Sequence, residues 1–267
     1  MVRHILRGHG YNLHLLVMDF VSGEIIAVDK PLGWTSFDAV KRLRGALQRR
    51  LGIRRFKVGH AGTLDPLASG VLIVCTGRAT KQIDAIQAST KEYVATIKLG
   101  ATTPSFDLET EIDATFPTNH ITEEDVKETL TRFTGDVMQV PPVFSAVKID
   151  GKRAYKYARR GDEVELKAKP LKINILELLD CTLPEITVRI VCSKGTYIRA
   201  LARDIGQALG SGAHLTALRR TRVGRFSEKD SLSLPAAIAM IDNCPLELPE
   251  WYEGEVPDGA VVIKGLK

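Results

Sequence analysis

One stretch of the chain concentrates groups that could do chemistry: Gly59-His60-Ala61-Gly62-Thr63-Leu64-Asp65-Pro66-Leu67-Ala68-Ser69-Gly70. Its single acid is Asp65. Three glycines and one proline confine its backbone to tightly specified turns. A carboxylate presented this way can ligate a metal, act as a general base or attack as a nucleophile. Metal binding wants several oxygen or nitrogen ligands, and only Thr63 and His60 stand nearby. A phosphoryl-transfer aspartate normally comes with a second acid two residues on, where this chain has Leu67. A nucleophile or a single base remains. Taken alone, an aspartate before a proline is also a good structural turn former.

The elements around this loop can be read in order. Gly23 to Val28 predicts a buried strand ended by the turn Asp29-Lys30-Pro31-Leu32-Gly33. Thr35 and Asp38 have capping-box spacing, and Phe37, Val40, Leu43, Leu47 and Leu51 predict the apolar stripe of a helix stopped by Gly52. After the loop, Val71–Cys75 predicts a strand. Glu92 to Leu99 alternates, with Tyr93, Ala95 and Ile97 on one side. Thr122 caps a helix with Glu123, Glu124 and Asp125 in its first turn. Residues 136–170 read as a loop-rich excursion. Two strands follow, near Ile173–Leu179 and Glu185–Cys192, then a helix from Tyr197 to Leu209. A last strand lies within His214–Phe226, and a short helix starts near Pro235. This predicts an α+β fold: a mixed, mainly antiparallel sheet flanked by helices.

The apolar fraction is 44%, ordinary for a globular protein. No window approaches a membrane span, and no segment has the layout of a signal peptide, so a cytoplasmic protein is expected. Cys75, Cys181, Cys192 and Cys244 lack the spacing of a metal knuckle and are expected to be buried free thiols, with no metal site. The net charge is +5. The basic residues cluster at Lys41 to Lys57, at Lys148 to Arg160, and at Arg219-Arg220-Thr221-Arg222 with Arg225. Three separated clusters suggest an extended anionic partner.

The loop at 59–70 resembles the signature of the TruB family of tRNA pseudouridine synthases. The resemblance runs in order over roughly residues 24–226: Asp29-Lys30-Pro31-Leu32-Gly33, Lys91-Glu92-Tyr93, Pro141 to Arg160, Cys192 to Arg199, and Gly212 to Arg220. It implies the pseudouridine synthase fold with an RNA-binding insertion at about 136–170. It also implies isomerisation of a uridine, position 55 in the T arm of tRNA, by breaking the N-glycosidic bond and forming a carbon–glycosidic bond. No cofactor is needed.

The resemblance makes Asp65 the catalytic carboxylate, acting at C1′, at C6 or on the C2′ proton. Arg199 corresponds to the arginine that pairs with it. Tyr93 corresponds to the tyrosine that stacks on the base, and Leu218 to a wall of the uracil pocket. His60 corresponds to the histidine that helps hold the target nucleotide flipped out. Lys30, Tyr197 and Asp107 fall on supporting positions, and Lys148, Lys152 and Arg153 on the RNA-gripping insertion. The expected partner is the T stem-loop of tRNA, bound by a monomer with no protein partner and no membrane.

The expected organisation is a catalytic domain over 1–230 and a short C-terminal tail over 231–267, without the complete PUA-type domain that many members carry. The competing reading is a non-catalytic protein that binds and refolds tRNA with the same surface. Methylation is disfavoured, because no GxGxxG-type loop follows a strand.

Overall fold

The computed structural model describes residues 17–145, 147–149, 151–154, 157, 160, 162, 164, 166–250, 252, 257 and 260–263. In chain order its first elements are β1 (Ile25–Lys30), α1 (Ser36–Leu51), β2 (Val58–His60), β3 (Ala68–Thr76) and α2 (Ile83–Ala88). Next come β4 (Lys91–Leu99), β5 (Ala101–Thr102), β6 (Ala114–Thr115), α3 (Glu123–Arg132) and β7 (Gly135–Gln139). The hairpin β8 (Lys148–Ile149) and β9 (Lys152–Arg153) precedes β10 (Lys169–Thr182) and β11 (Glu185–Cys192). The chain continues through α4 (Ile198–Ala208), β12 (Ala213–Val223), β13 (Phe226–Ser227), β14 (Leu232–Ser233) and α5 (Leu234–Asn243). It ends in β15 (Leu246–Pro249) and β16 (Ala260–Ile263).

These elements form two compact units, one from Met1–Ser89 with Arg220–Lys267, the other from Thr90–Arg219. In the first unit β1 lies antiparallel to β3, with Lys30 opposite Gly70, and parallel to β14. β2 pairs with the other side of β3, placing His60 opposite Val74. The end of β12 follows β3 in the sheet order and folds back on β13. The core of this unit buries Ile26, Val28, Leu72 and Val74 against Val40, Leu43 and Leu47 of α1 and Ala237 and Ile241 of α5. Leu246 and Leu248 of β15 belong to the same core, so residues after 231 supply part of its interior.

Helix α1 shows why the local sequence folds as it does. The Thr35 hydroxyl accepts from the Asp38 N–H at 3.0 Å while Asp38 Oδ2 accepts from the Thr35 N–H at 3.0 Å, closing a capping box. Gly52 ends the helix in the left-handed region at φ 67°. Its buried stripe is Ser36, Ala39, Val40, Leu43, Ala46, Leu47 and Leu51. Phe37, expected in that stripe, is 60% exposed. At 100° per residue it lies well off the stripe's centre.

In the second unit the sheet runs β12–β4–β11–β10–β7. β4 and β11 are antiparallel with Tyr93 opposite Ile190, and β10 pairs with β11 on one side and β7 on the other. α3 packs on β10, and α4 touches both α3 and β4. In each unit the strands pair mainly antiparallel and helices pack on them, the α+β class expected. One reading is corrected: residues 136–139 are strand, because Gly135–Gln139 pairs with Lys169–Ile173. Among the thiols, Cys75, Cys192 and Cys244 are buried and free, whereas Cys181 is only partly buried.

Candidate active site

The Asp65 loop bridges β2 and β3 and is fastened at each step. The Ala68 N–H donates to the Asp65 carbonyl at 3.1 Å, making a β-turn with Pro66 in the second position, where its fixed φ fits. Leu64 is held at both backbone groups: its N–H donates to Ser36 Oγ at 2.8 Å and its carbonyl accepts from that hydroxyl at 3.0 Å. The Pro66 carbonyl accepts from the Gly33 N–H at 2.8 Å. Both neighbours of Asp65 are therefore anchored, while Asp65 itself is half-buried.

The anchors depend on Lys30. This side chain, at the end of β1, is 0% exposed, and its Nζ donates to the carbonyls of Pro31 at 2.9 Å and Trp34 at 2.5 Å. It thereby braces the turn that supplies Gly33 and Ser36. Burial lowers the Lys30 pKa to about 8; the field of Asp65 opposes that shift and Arg220 adds to it. His60 is half-buried at the end of β2. Burial first, then Arg220, hold its pKa below the ordinary value, so it is neutral at pH 7.

Arg220 was grouped by sequence with a surface basic cluster. It is instead 1% exposed. Its Nε donates to the Val71 carbonyl at 2.8 Å, Nη2 to Gly62 at 3.1 Å and Nη1 to Thr63 at 3.4 Å. Sequence reasoning missed this role, and that of Ser36, because their partners are distant in the chain. A basic residue inside an otherwise half-apolar strand was the available signal.

The second unit carries the other candidates. Tyr93 is 9% exposed on β4. Arg199, in the first turn of α4, is 5% exposed; it donates to the carbonyls of Ser105 at 3.0 Å and Phe144 at 2.9 Å, and its Nε lies 3.7 Å from Asp107 Oδ2. Asp107 is itself 5% exposed. Two buried opposite charges with backbone partners make a rigid polar centre. Beside it, Gln139 of β7 bonds both backbone groups of Tyr197, fixing the entry to α4. Phe106, between Ser105 and Asp107, has φ 61°, unusual for a residue with a side chain, and its ring lies 4.9 Å beneath the Arg203 guanidinium. Leu218 is half-buried on β12.

Two surfaces suit an anionic polymer. An open groove of about 410 Å³ beside α1 is lined by Gly33, Trp34, Asp38, Lys41, Arg42, Gly45 and Arg49. Lys148, Lys152 and Arg153 sit in the β8–β9 hairpin, with Lys148 opposite Arg153; their side chains lie outside the described residues. Among the described residues no group of three or more His, Cys, Asp and Glu could hold a metal, and no helix is long and apolar enough to cross a membrane.

Comparison with known proteins identifies the family. The model described as "TruB family pseudouridylate synthase (N terminal domain)" matches residues 48–198, and that of the "tRNA pseudouridylate synthase B C-terminal domain" matches 199–243. The chain is 62% identical over 230 residues to the tRNA pseudouridine synthase B of Phocaeicola vulgatus, covering 86% of this chain and 98% of that one. It is 67% identical over 210 residues to that of Parabacteroides distasonis, covering 79% and 89%.

Among solved structures, a chain of a Cbf5-Nop10-Gar1 complex superposes with a TM-score of 0.64 at 31% identity, covering 83% of this chain and 55% of that chain. A chain of an H/ACA RNP bound to a substrate RNA containing 2'-deoxyuridine gives 0.59 at 29%, covering 82% and 53%. The chain thus spans little more than half the length of these solved chains. With the first model alone matching more than half of its residues, the chain belongs to the TruB family of pseudouridylate synthases.

Proposed function

We propose that this protein is a tRNA pseudouridine synthase that isomerises uridine 55 in the T arm, with Asp65 as its catalytic carboxylate. The observation that carries the reading is the construction of the Asp65 turn. Its neighbours Leu64 and Pro66 are both pinned by hydrogen bonds, yet the aspartate remains half-exposed. A carboxylate fixed in this manner is pre-oriented for attack on, or proton removal from, a bound nucleoside. The isomerisation rearranges bonds within one nucleotide and has no net redox change. The relatives named tRNA pseudouridine synthase B support the substrate class.

Tyr93 is assigned to stacking on the target base and Arg199 to the supporting cation. Leu218 is assigned to the wall of the uracil pocket and His60 to holding the uridine out of its stack. A neutral imidazole suits that last role, since it can wedge among bases without a charge to hydrate. Lys41, Arg42 and Arg49, with Lys148, Lys152 and Arg153, are assigned to the phosphates of the tRNA arm.

The test is incubation with unmodified tRNA followed by pseudouridine mapping. The expected result is one product position in the T loop. Asp65→Asn is expected to bind tRNA and form no product. Pseudouridine formation by that variant at the wild-type rate would refute the role of Asp65. Tight tRNA binding by the wild type without any product would favour a non-catalytic tRNA-folding protein.

A further inference from the structure

We infer that Arg220 is the positioning residue of the Asp65 loop, a clamp that sets where the carboxylate stands. The inference rests on the reading of Asp65 as the catalytic group. The loop leaves the sheet after His60 and re-enters it at Ala68, three residues before Val71. The Arg220 guanidinium spans this opening, bonding Gly62 and Thr63 on the outgoing side and Val71 on the returning side. One planar group with donors in a fixed fork ties both ends of the loop to a single point.

The backbone of the same residue supports the loop from below. Gly70 has φ 103°, and a Cβ there would lie 2.2 Å from the Arg220 carbonyl oxygen, so the returning strand rests directly on the main chain of β12. Gly62 is glycine for a different reason: its φ of 107° lies in the left-handed region, whereas a Cβ there would meet Nη1 at an ordinary 3.6 Å. One of the loop's three glycines, Gly70, is thus explained by the presence of this arginine.

All three of its hydrogen bonds go to main-chain carbonyls. The guanidinium remains a buried cation close enough to lower the proton affinity of both Lys30 and His60. A lysine keeps the charge but offers a point donor that cannot span the two ends of the loop. A structural plug would need only bulk and satisfied donors, whereas a clamp needs the fork.

The experiment compares Arg220→Lys and Arg220→Gln with wild type and Asp65→Asn. Each is measured for single-turnover pseudouridine formation at saturating unmodified tRNA, for the Kd of the same tRNA, and for melting temperature, with all rates taken well below melting. The expected result is a rate at least tenfold lower in Arg220→Lys with tRNA affinity within about twofold of wild type, the signature of a misplaced reacting group. Arg220→Gln should fall further, again with affinity retained. Arg220→Lys turning over at the wild-type rate while Asp65→Asn is inactive overturns the clamp and leaves the catalytic reading standing. Product from Asp65→Asn refutes the catalytic reading on which the clamp depends. A parallel loss of affinity and rate, or failure of both Arg220 variants to fold, assigns Arg220 to the architecture of the sheet and also overturns the proposal.

Discussion

A lysine ammonium with no solvent exposure makes the stability of the first unit depend on pH. The folded-state pKa of Lys30 is about 8 and its ordinary value is 10.5. Between these values the unfolded chain holds more protons, so this group makes stability rise as pH rises, and contributes no slope below pH 8. Cys75, Cys192 and Cys244 act in the opposite sense: burial pushes each thiol up from 9.0 to about 11, so their contribution is lost as pH climbs through that window. Comparison with Lys30→Met separates the two. The stability of wild type relative to that variant should rise by on the order of 2 kcal/mol between pH 7.5 and 9.5, read from urea titrations. An unchanged difference would mean that the ammonium is not desolvated in the folded state. At this scale the turn at Asp65 was legible in the sequence, because Gly and Pro around a single acid announce a tightly specified turn, while the role proposed for the acid came from the resemblance. Its supports were not. Ser36 meets Leu64 from 28 residues away and Arg220 meets Gly62 from 158, and nothing local in either stretch encodes the meeting.

Elements with caps and a helical period could be read directly; those defined by a partner could not. Helix α1 announces itself through Thr35, Asp38 and Gly52, and Thr35→Ala should cost about 1 kcal/mol by leaving the first turn's N–H groups without their acceptor. Thermal unfolding of that variant checks the figure. Strand β7 carries no comparable signal, with alternating exposure over five residues, and becomes a strand only by pairing with β10. The C-terminal segment gives the sharper test. Leu246 is 0% exposed and β15 is bridged to Met18 at the other end of the chain. Leu246→Ala should therefore destabilise the first unit by about 2–5 kcal/mol through the cavity it leaves. A change below 0.5 kcal/mol would mean that this strand does not close the core.

For the whole molecule, a net charge of +5 is modest, and its distribution decides affinity more than its size. Lys41, Arg42 and Arg49 line one groove of α1. If all three meet phosphates, replacing them together by alanine should lower the salt slope of tRNA binding by about 3, with little effect on the rate at saturating tRNA. A slope equal to that of wild type would place the RNA elsewhere. The two-unit architecture also sets an order of events. The second unit is one continuous stretch, Thr90–Arg219, whereas the first joins residues from both ends of the chain. During synthesis the second unit can close while the first still waits for its last strands, a delay lengthened by the entropy of so long a loop. Pulse-labelled hydrogen exchange during refolding should find amides of β4 and β11 protected before those of β1 and β3. Because the arginine that grips the Asp65 loop is translated 158 residues after Gly62, a nascent chain carries this loop long before the residue that holds it exists.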